Sequence, residues 1–514
     1  MAEQDKGLPM AAKWDPEKVQ REVAELKALE EMPLLASAGG YIKRTGPGLL
    51  QSAMTLGAGS AAASVMAGAS FGYKLLWVQP VAMFLGIMML AALGNIVLTT
   101  GERPYKAFGR ELSKSLVLFW ALGTIIASVI WHFPQYTLAA GAVRDLVSTV
   151  GEMQMETDAD GETSLTTIGL VVSLLTGVGI LCINIFTTWN YGSGSRGIKI
   201  YEWFLRGVIA LVIVAFGIVV VANIANVQWG EVFKGFTGYY GVPQVEEAPG
   251  LTAAHLDSTT LVLGMLGAAV GINMTFLYPY SMLAKGWGKH HKKLSRWDLG
   301  MSMFVPFVLV TSLVMIAMTV SGVFQPDQEH VRVGMSPLSA SASLTDVMGP
   351  TLGRVVFDLG LLGMTCGAIS VHMVVCGFTV CEMFGLEYTV KRYRMFTLVP
   401  AVGMLGVIFN IKSVIWFPIV ASAFCFTLLP IAYVIFLILN NKRSYIGDAV
   451  GSGAKRVVFN VLLVIALTVA TVGSAIKFKG GVIDKIAKFF EKDKAAAVAE
   501  PDSGETARVD ESVK

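Results

Sequence analysis

Charged residues are scarce in this chain of 514 residues, where they make up 15% of the total. A soluble domain averages about 25%. The low charge content and a mean hydropathy of +0.61 exclude an ordinary soluble protein and indicate that the bilayer is the solvent. The formal net charge of +3 gives no reason to expect a nucleic-acid partner.

Cysteine is also sparse, and catalytic motifs are missing. None of the five cysteines forms a CxxC pair, and all lie in apolar stretches, so we read them as small buried residues rather than as a zinc site or a disulfide framework. The chain contains no Walker-type loop, kinase set or nucleophile elbow. We therefore expect neither an enzyme nor an ATP-driven pump, and no cofactor.

Long hydrophobic runs are what the chain does contain. Crossing the hydrocarbon core takes about 20 apolar residues, and about eleven runs approach that length. They lie near residues 47–70, 74–99, 116–143, 166–189, 204–227, 258–284, 300–324, 353–383, 395–410, 413–440 and 456–477. These runs predict an all-α integral membrane domain over 43–478, between a cytoplasmic segment at 1–42 and a charged, largely disordered tail at 479–514.

The distribution of lysine and arginine predicts the orientation of this domain. The connections that follow the even-numbered runs are basic, as at 103–114 and 285–296, whereas the segment Glu152–Glu162 is acidic. Because basic loops stay in the cytoplasm, we expect a cytoplasmic N-terminus in a bacterial inner membrane. With eleven spans the C-terminal tail would lie outside, yet residues near 477–494 are rich in lysine, which is typical of a cytoplasmic segment. The side of the membrane on which the tail lies therefore stays open, as does the oligomeric state.

Two of the runs are interrupted by glycine. Gly57 and Gly59 lie within the first run, and Gly267 and Gly271 lie within the sixth. Glycine weakens a helix by about 1 kcal/mol relative to alanine, and broken helices at matching positions of two halves are typical of an inverted-repeat transporter. The residues alone leave a second interpretation equally open, in which these glycines are packing contacts between helices.

Several segments resemble, in order along the chain, the divalent-metal transporters of the NRAMP family. They are residues 46–50 and 57–60, continuing to 67–77, then 197–202, 226–230, Leu277–Tyr278 with Ser281, Cys381–Glu382 and Leu429–Pro430. The resemblance covers roughly residues 43–478. It implies a five-plus-five inverted repeat with the first and sixth helices broken, and proton-coupled import of manganese or iron.

The chain departs from the family at the metal site. The family's Asp-Pro-Gly-Asn motif reads Gly57, Ala58, Gly59 and Ser60 here, and Asn273 replaces the metal-binding methionine. The resemblance further places the backbone carbonyls of Met54 and Val270 among the ligands, and Ala423 at a position that is often glutamine. On the proton or polar pathway it places His132, Gln135 and Thr275.

These departures alter the expected cargo. A site for manganese or iron benefits from a carboxylate and a sulfur donor, and Ser60 and Asn273 offer only neutral oxygens. We therefore expect a hydrated magnesium ion to be favoured over manganese, as in the NRAMP-related magnesium transporters. A small neutral or anionic solute, or a non-transporting sensor or scaffold, stays open as an alternative.

Few ionisable residues occur within the runs, and each of them is a candidate for function. His132 is the only titratable group of the aligned set, so we expect transport without protons; a hydrogen-bonded core histidine is the plainer interpretation. Asp358 and His372 lie about 20 Å apart on the eighth helix. We expect Asp358 to face water near the outer end of that helix.

Overall fold

The computed structural model describes residues 16–148, 155–157, 163–191, 195–243, 258–324, 335–386, 389–409 and 414–479, and nearly all of them are helical. The first part of the chain forms α1 (Pro16–Glu31), α2 (Leu34–Ile42), α3 (Pro47–Thr55), α4 (Ala58–Phe71), α5 (Val78–Thr100), α6 (Pro104–Glu111), α7 (Lys114–Ser148), α8 (Thr167–Tyr191), α9 (Ser195–Ala222) and α10 (Trp229–Phe236). The second part forms α11 (Ser258–Ala269), α12 (Ile272–Ala284), α13 (Lys292–Leu299), α14 (Val305–Val320), α15 (Pro337–Met348), α16 (Pro350–Met383), α17 (Val390–Phe396), α18 (Trp416–Phe426), α19 (Leu429–Asn440), α20 (Arg443–Ile446) and α21 (Gly453–Phe478).

Short segments of other geometry interrupt this series. Lys289–His291, Val399–Ile408 and Gly447–Val450 form 3₁₀-helices, and Gly300–Phe304 forms a π-helical turn. Two three-residue strands, β1 (Met155–Thr157) and β2 (Thr163–Leu165), pair antiparallel. The sequence pattern does not predict this small hairpin.

Seven helical segments of the described chain are long and apolar enough to cross a membrane. They are Val78–Thr100, Lys114–Ser148, Thr167–Trp189, Ser258–Ala284, Lys289–Val320, Pro350–Met383 and Gly453–Phe478. The pair α18 and α19 makes an eighth if it counts as one bent span. The remaining predicted runs are the first, fifth and ninth, which are represented by α3 with α4, by the apolar stretch Ile209–Ala222, and by α17 with its 3₁₀ continuation.

The first and sixth runs are broken, as the glycines predict. The first helix stops at Thr55 and restarts at Ala58, and the sixth stops at Ala269 and restarts at Ile272. Each gap is therefore two residues wide. In each gap the glycine is extended: Gly57 has φ −81° and ψ −169°, and Gly271 has φ −89° and ψ 163°.

Two further irregularities were not predicted. The tenth run bends by 41° between Phe426 and Leu429, where α18 ends and α19 begins. Pro430 follows directly after the bend. The ninth run is a 3₁₀-helix from Val399 to Ile408, and 3₁₀ stretches longer than three or four residues are uncommon. Both segments pack on the long third helix, α7, and the 3₁₀ segment also packs on the eighth, α16. The helices α7 and α16 pack on each other as well.

The start of the first helix is held by a buried carboxylate. Asp298 of α13 accepts hydrogen bonds from the backbone N–H groups of Gly46 and Gly48 at 2.8 and 2.5 Å. A carboxylate at a helix N-terminus satisfies amides that have no partner within the helix. The segment before this helix forms α1 and α2. Residues 1–15 and the predicted disordered tail from 480 onward lie outside the described residues.

Candidate substrate site at the helix breaks

The first break is closed by its own polar groups. The carbonyl of Met54 accepts a hydrogen bond from Gly57 N–H at 3.3 Å. Across the gap, the hydroxyl of Ser60 donates to the carbonyl of Thr55 and reaches that of Gly57 at 3.3 Å. The hydroxyl proton of Ser60 is therefore engaged in a hydrogen bond to the backbone. The lone pairs of the hydroxyl oxygen remain available as hard, neutral ligands for a cation.

The second break has the same form with different side chains. The Oδ1 atom of Asn273 accepts from Met274 N–H at 3.0 Å. The sulfur of Met274 lies 3.2 Å from Gly271 N, so it accepts a weak bond from the backbone of the break. The side chain of Val270 packs on α5, where a Cβ at Gly86 would lie 2.1 Å from its Cγ2. Val270 can therefore offer its carbonyl, and not its side chain, to a ligand.

The third and eighth helices connect the two breaks. On α7, Gln135 Oε1 accepts from Ala58 N–H at 3.2 Å. A Cβ at Gly57 would lie 2.8 Å from the Cβ of Ala368 on α16, which leaves no room for a side chain. One turn further along α16, His372 Nδ1 lies 3.2 Å from the Asn273 amide nitrogen.

Two buried histidines face each other beside this contact. The rings of His132 and His372 meet edge to face with centroids 5.5 Å apart. His132 Nδ1 lies 2.9 Å from the Ser128 carbonyl and must donate to it, because a carbonyl can only accept. His132 Nε2 is then an acceptor, and it has no hydrogen-bond partner among the described residues. The amide of Asn273 donates to Nδ1 of His372, so the proton of neutral His372 sits on Nε2.

The other predicted residues divide into two groups. Thr275 turns away: its hydroxyl accepts from Trp120 Nε1 at 2.9 Å and donates to the Ile272 carbonyl. Ala423 is fully buried on α18. Its neighbour Ser422 is the residue that touches both broken helices, since Cβ atoms at Gly59 and Gly267 would meet it at 2.7 and 2.4 Å.

A small cavity lies beside the first break, between α4, α9, α14 and α16. Its wall is mostly apolar, with Leu56, Phe216 and Met364 among the contributors. Of the predicted site residues, Ser60 lines it, together with the hydroxyl residues Ser64 and Thr311. The cavity therefore offers hydroxyl oxygens to a guest that reaches Ser60.

The predicted site is sealed from solvent and uncharged. Ser60, Asn273, His132, Gln135 and His372 are each at most 1% exposed. Across the described ranges, no three His, Cys, Asp or Glu side chains converge so that they could hold a metal ion. The potential cation ligands at the breaks are therefore hydroxyl, amide and backbone oxygens. The imidazole nitrogens of His372 and His132 lie next to them.

Sequence reasoning underestimated one residue and misplaced another. His372 was noted only for its separation from Asp358, although an ionisable residue inside a membrane helix is itself a signal of function. The expectation that Asp358 faces water was wrong, because its side chain is fully buried. Its position on α16, beside α7, explains the burial.

Comparison with known proteins places the chain in a family. Residues 48–476, which are most of the chain, match the model of natural resistance-associated macrophage protein-like proteins, Nramp. The chain belongs to the Nramp family. Members of this family are membrane transporters rather than enzymes, so the expectations of an integral, multi-pass membrane protein and of a non-enzyme are both confirmed.

Individual Nramp relatives are distant in sequence. A divalent metal cation transporter, MntH, of Deinococcus radiodurans is 23% identical over 435 residues, which are 82% of this chain and 87% of that protein. The MntH of Mycobacterium leprae is 22% identical over 418 residues, covering 78% of this chain and 84% of the relative.

Solved structures support the fold assignment. A mutant of the Eremococcus coleocola manganese transporter superposes with a TM-score of 0.63 at 16% identity, over 92% of this chain and 90% of that one. The nucleobase-cation-symport-1 transporter Mhp1 follows with 0.53 at 14% identity, over 84% and 91%. The inverted-repeat fold with broken first and sixth helices is thereby confirmed for this Nramp protein.

Proposed function

We propose that this Nramp protein transports a divalent metal cation, and that hydrated magnesium is its preferred cargo over manganese. The observation that carries the proposal is the neutral lining of the two helix breaks, where Ser60 and Asn273 contribute oxygens and no carboxylate is present among the described residues around them. Magnesium sheds its water reluctantly and is usually bound with several waters retained. Neutral oxygens that receive hydrogen bonds from those waters suit such a guest.

The relatives support the class of cargo. The MntH proteins are named divalent metal cation transporters, and the Eremococcus coleocola structure is of a manganese transporter. The two breaks also direct the C-terminal ends of α3 and α11 toward the gaps, and helix C-termini carry partial negative charge that favours a cation.

Two potential metal ligands near the breaks, the Met274 sulfur and the His372 Nδ1 atom, favour softer metals. Both already accept a hydrogen bond from within the chain. The sulfur of Met274 accepts from the Gly271 amide at 3.2 Å. The Nδ1 atom of His372 accepts from the Asn273 amide at 3.2 Å. A manganese ion would have to break one of these contacts to gain the Met274 sulfur or the His372 Nδ1 atom as a ligand, which supports the order magnesium before manganese.

The decisive experiment is ion uptake into proteoliposomes with magnesium, manganese and calcium compared in parallel. We expect saturable magnesium influx against which manganese competes weakly. An Asn273→Asp variant supplies the missing carboxylate at unchanged size and should raise the apparent manganese affinity, whereas Asn226→Asp on the exposed surface should not.

The opposite result is equally clear. Micromolar manganese uptake by the unmodified protein that is lost in Met274→Leu would show a sulfur-ligated transition metal, and the magnesium proposal would be wrong.

A small anionic or neutral solute is the second candidate. The observation in its favour is that α4 and α12 begin at the breaks with glycine as the N-cap residue, which makes no side-chain cap bond, and helix N-termini attract negative charge. Absence of uptake for all three cations would favour this solute or a non-transporting sensor. We further propose a bacterial inner-membrane location with the N-terminus in the cytoplasm, on the basis of the basic loops.

A further inference from the structure

Asp358 stands out among the buried charges because no N–H or O–H group of the described chain donates a hydrogen bond to its carboxylate. It lies on α16 and is 0% exposed, so no water-sized sphere reaches its surface. Neither of its carboxylate oxygens has a hydrogen-bond partner among the described residues. A lone ionised carboxylate in such a place is costly by several kcal/mol.

The group that faces it is another carboxylate. The charged side chains acting on Asp358 are Asp145 of α7 and Arg354, one turn earlier on α16. Both oxygens of Asp145 are taken by Arg354, at 2.6 and 2.5 Å, and the same guanidinium donates to Ser148 at 2.7 Å. One guanidinium therefore serves two carboxylates, which leaves one negative charge in excess.

The remaining charges nearby do not compensate it. Arg144 of α7 donates to Ser173 of α8 at 2.7 Å, and Asp346 of α15 is exposed. The helix α8 and the apolar stretch Ile209–Ala222 of α9, which also pack on α16, carry no charged side chain. A hydrated cation has no room against a carboxylate that no water touches, so the neutralising particle is a proton.

We propose that Asp358 and Asp145 form a proton-binding site, in which a protonated Asp358 donates to the Asp145 carboxylate. With the proton bound, the cluster contains one guanidinium and one carboxylate and is neutral. When the proton leaves, the carboxylates of Asp145 and Asp358 repel each other across α7 and α16, and the packing of these helices weakens. Asp358 lies about 20 Å along α16 from His372, so this proton biases the conformation without accompanying the cargo.

The test is the thermal stability of the full-length protein in nanodiscs as a function of pH. The wild type should lose several degrees of Tm as the pH is raised from mildly acidic to alkaline, because the proton is then removed. Asp358→Asn, which keeps the donor and is uncharged, should abolish this loss. Asp448→Asn removes a fully exposed carboxylate that is paired with Arg443 at 3.3 Å and should leave the pH dependence unchanged.

Infrared spectroscopy reads the proton directly. The wild type should show a protonated-carboxyl band that is absent in Asp358→Asn and shifted in Asp358→Glu, the second variant if the first does not fold. The proposal is overturned if the band is unaffected by either substitution, or if the Tm of Asp358→Asn falls with rising pH as in the wild type. Stability that depends on sodium or calcium concentration but not on pH would also overturn it, since a metal cation would then be the ligand.

Discussion

The side-chain amide of Asn273 lies 3.2 Å from Nδ1 of His372. This contact joins the restart of the broken sixth helix to the middle of the eighth. Asn273 is one of the two side chains predicted to offer an oxygen to a cation at the breaks, with Ser60, and the bond fixes which way its amide points. A substitution at His372 should therefore alter the binding of the cargo, although His372 itself was not among the expected ligands.

His372→Ala should raise the KM for cation uptake about tenfold with a smaller change in kcat. Removing one partner of a buried hydrogen bond costs about 1–3 kcal/mol, and about 1.4 kcal/mol is tenfold in an equilibrium constant. Initial rates of uptake over a range of cation concentrations measure both constants. His290→Ala, at an exposed histidine, is the control; equal KM values for the two variants would contradict a role for the contact.

Gly59→Ala should destabilise the protein, because its Cβ would lie 2.1 Å from the ring of Trp131. Overpacking of this kind costs about 1–3 kcal/mol, and Trp131 lies beside His372 with ring centroids 6.2 Å apart. The Tm in detergent measures the effect. In the matched variant Gly217→Ala nothing lies within 4 Å of the new Cβ, so we expect a gain of up to about 1 kcal/mol from helix propensity. A Tm for Gly59→Ala at or above that of Gly217→Ala would show that the first break tolerates a side chain.

Asp298→Ala should lower the Tm by leaving the amides of Gly46 and Gly48 without their acceptor. The expected loss is about 1–3 kcal/mol for each buried amide left unpaired, and Asp298→Asn, which retains one acceptor oxygen, should fall between. Removal of the exposed carboxylate in Asp346→Ala provides the baseline. If Asp298→Ala melts with that baseline, the first helix does not depend on this cap.

Transport should carry no protons. The positions aligned with the proton path read Gly57, Gln135 and Thr275, none of which titrates near neutral pH, and the hydroxyl of Thr275 is engaged with Trp120. Liposomes loaded with a pH dye should show cargo entry without acidification of the lumen. The structure adds His372 beside His132, so the pair is the remaining candidate for a relay. Cargo-driven acidification that disappears in His132→Ala would establish coupling through this pair.

The sequence by itself determined the membrane class and the two breaks. Apolar runs of about 20 residues have few alternatives to spanning a bilayer, because unpaired backbone groups are too costly in lipid. Gly57 and Gly271 then marked where α3 and α11 end, since glycine is the weakest helix former other than proline. Both properties are local, so the residues predict the spans and mark the candidate breaks. The resemblance to the NRAMP family then favoured a break over a packing contact at these glycines.

Only the tertiary structure decided which residues share the site. His372 and Asn273 are separated by 99 positions, and no periodicity indicates that one faces the other. Burial of Asp358 was likewise invisible, because the helix end on which it lies is covered by α7 rather than by water. The bend between Phe426 and Leu429 and the 3₁₀-helix from Val399 to Ile408 also depend on what packs against them. Contacts between residues on different helices depend on how the whole bundle packs. The sequence around each residue does not predict them.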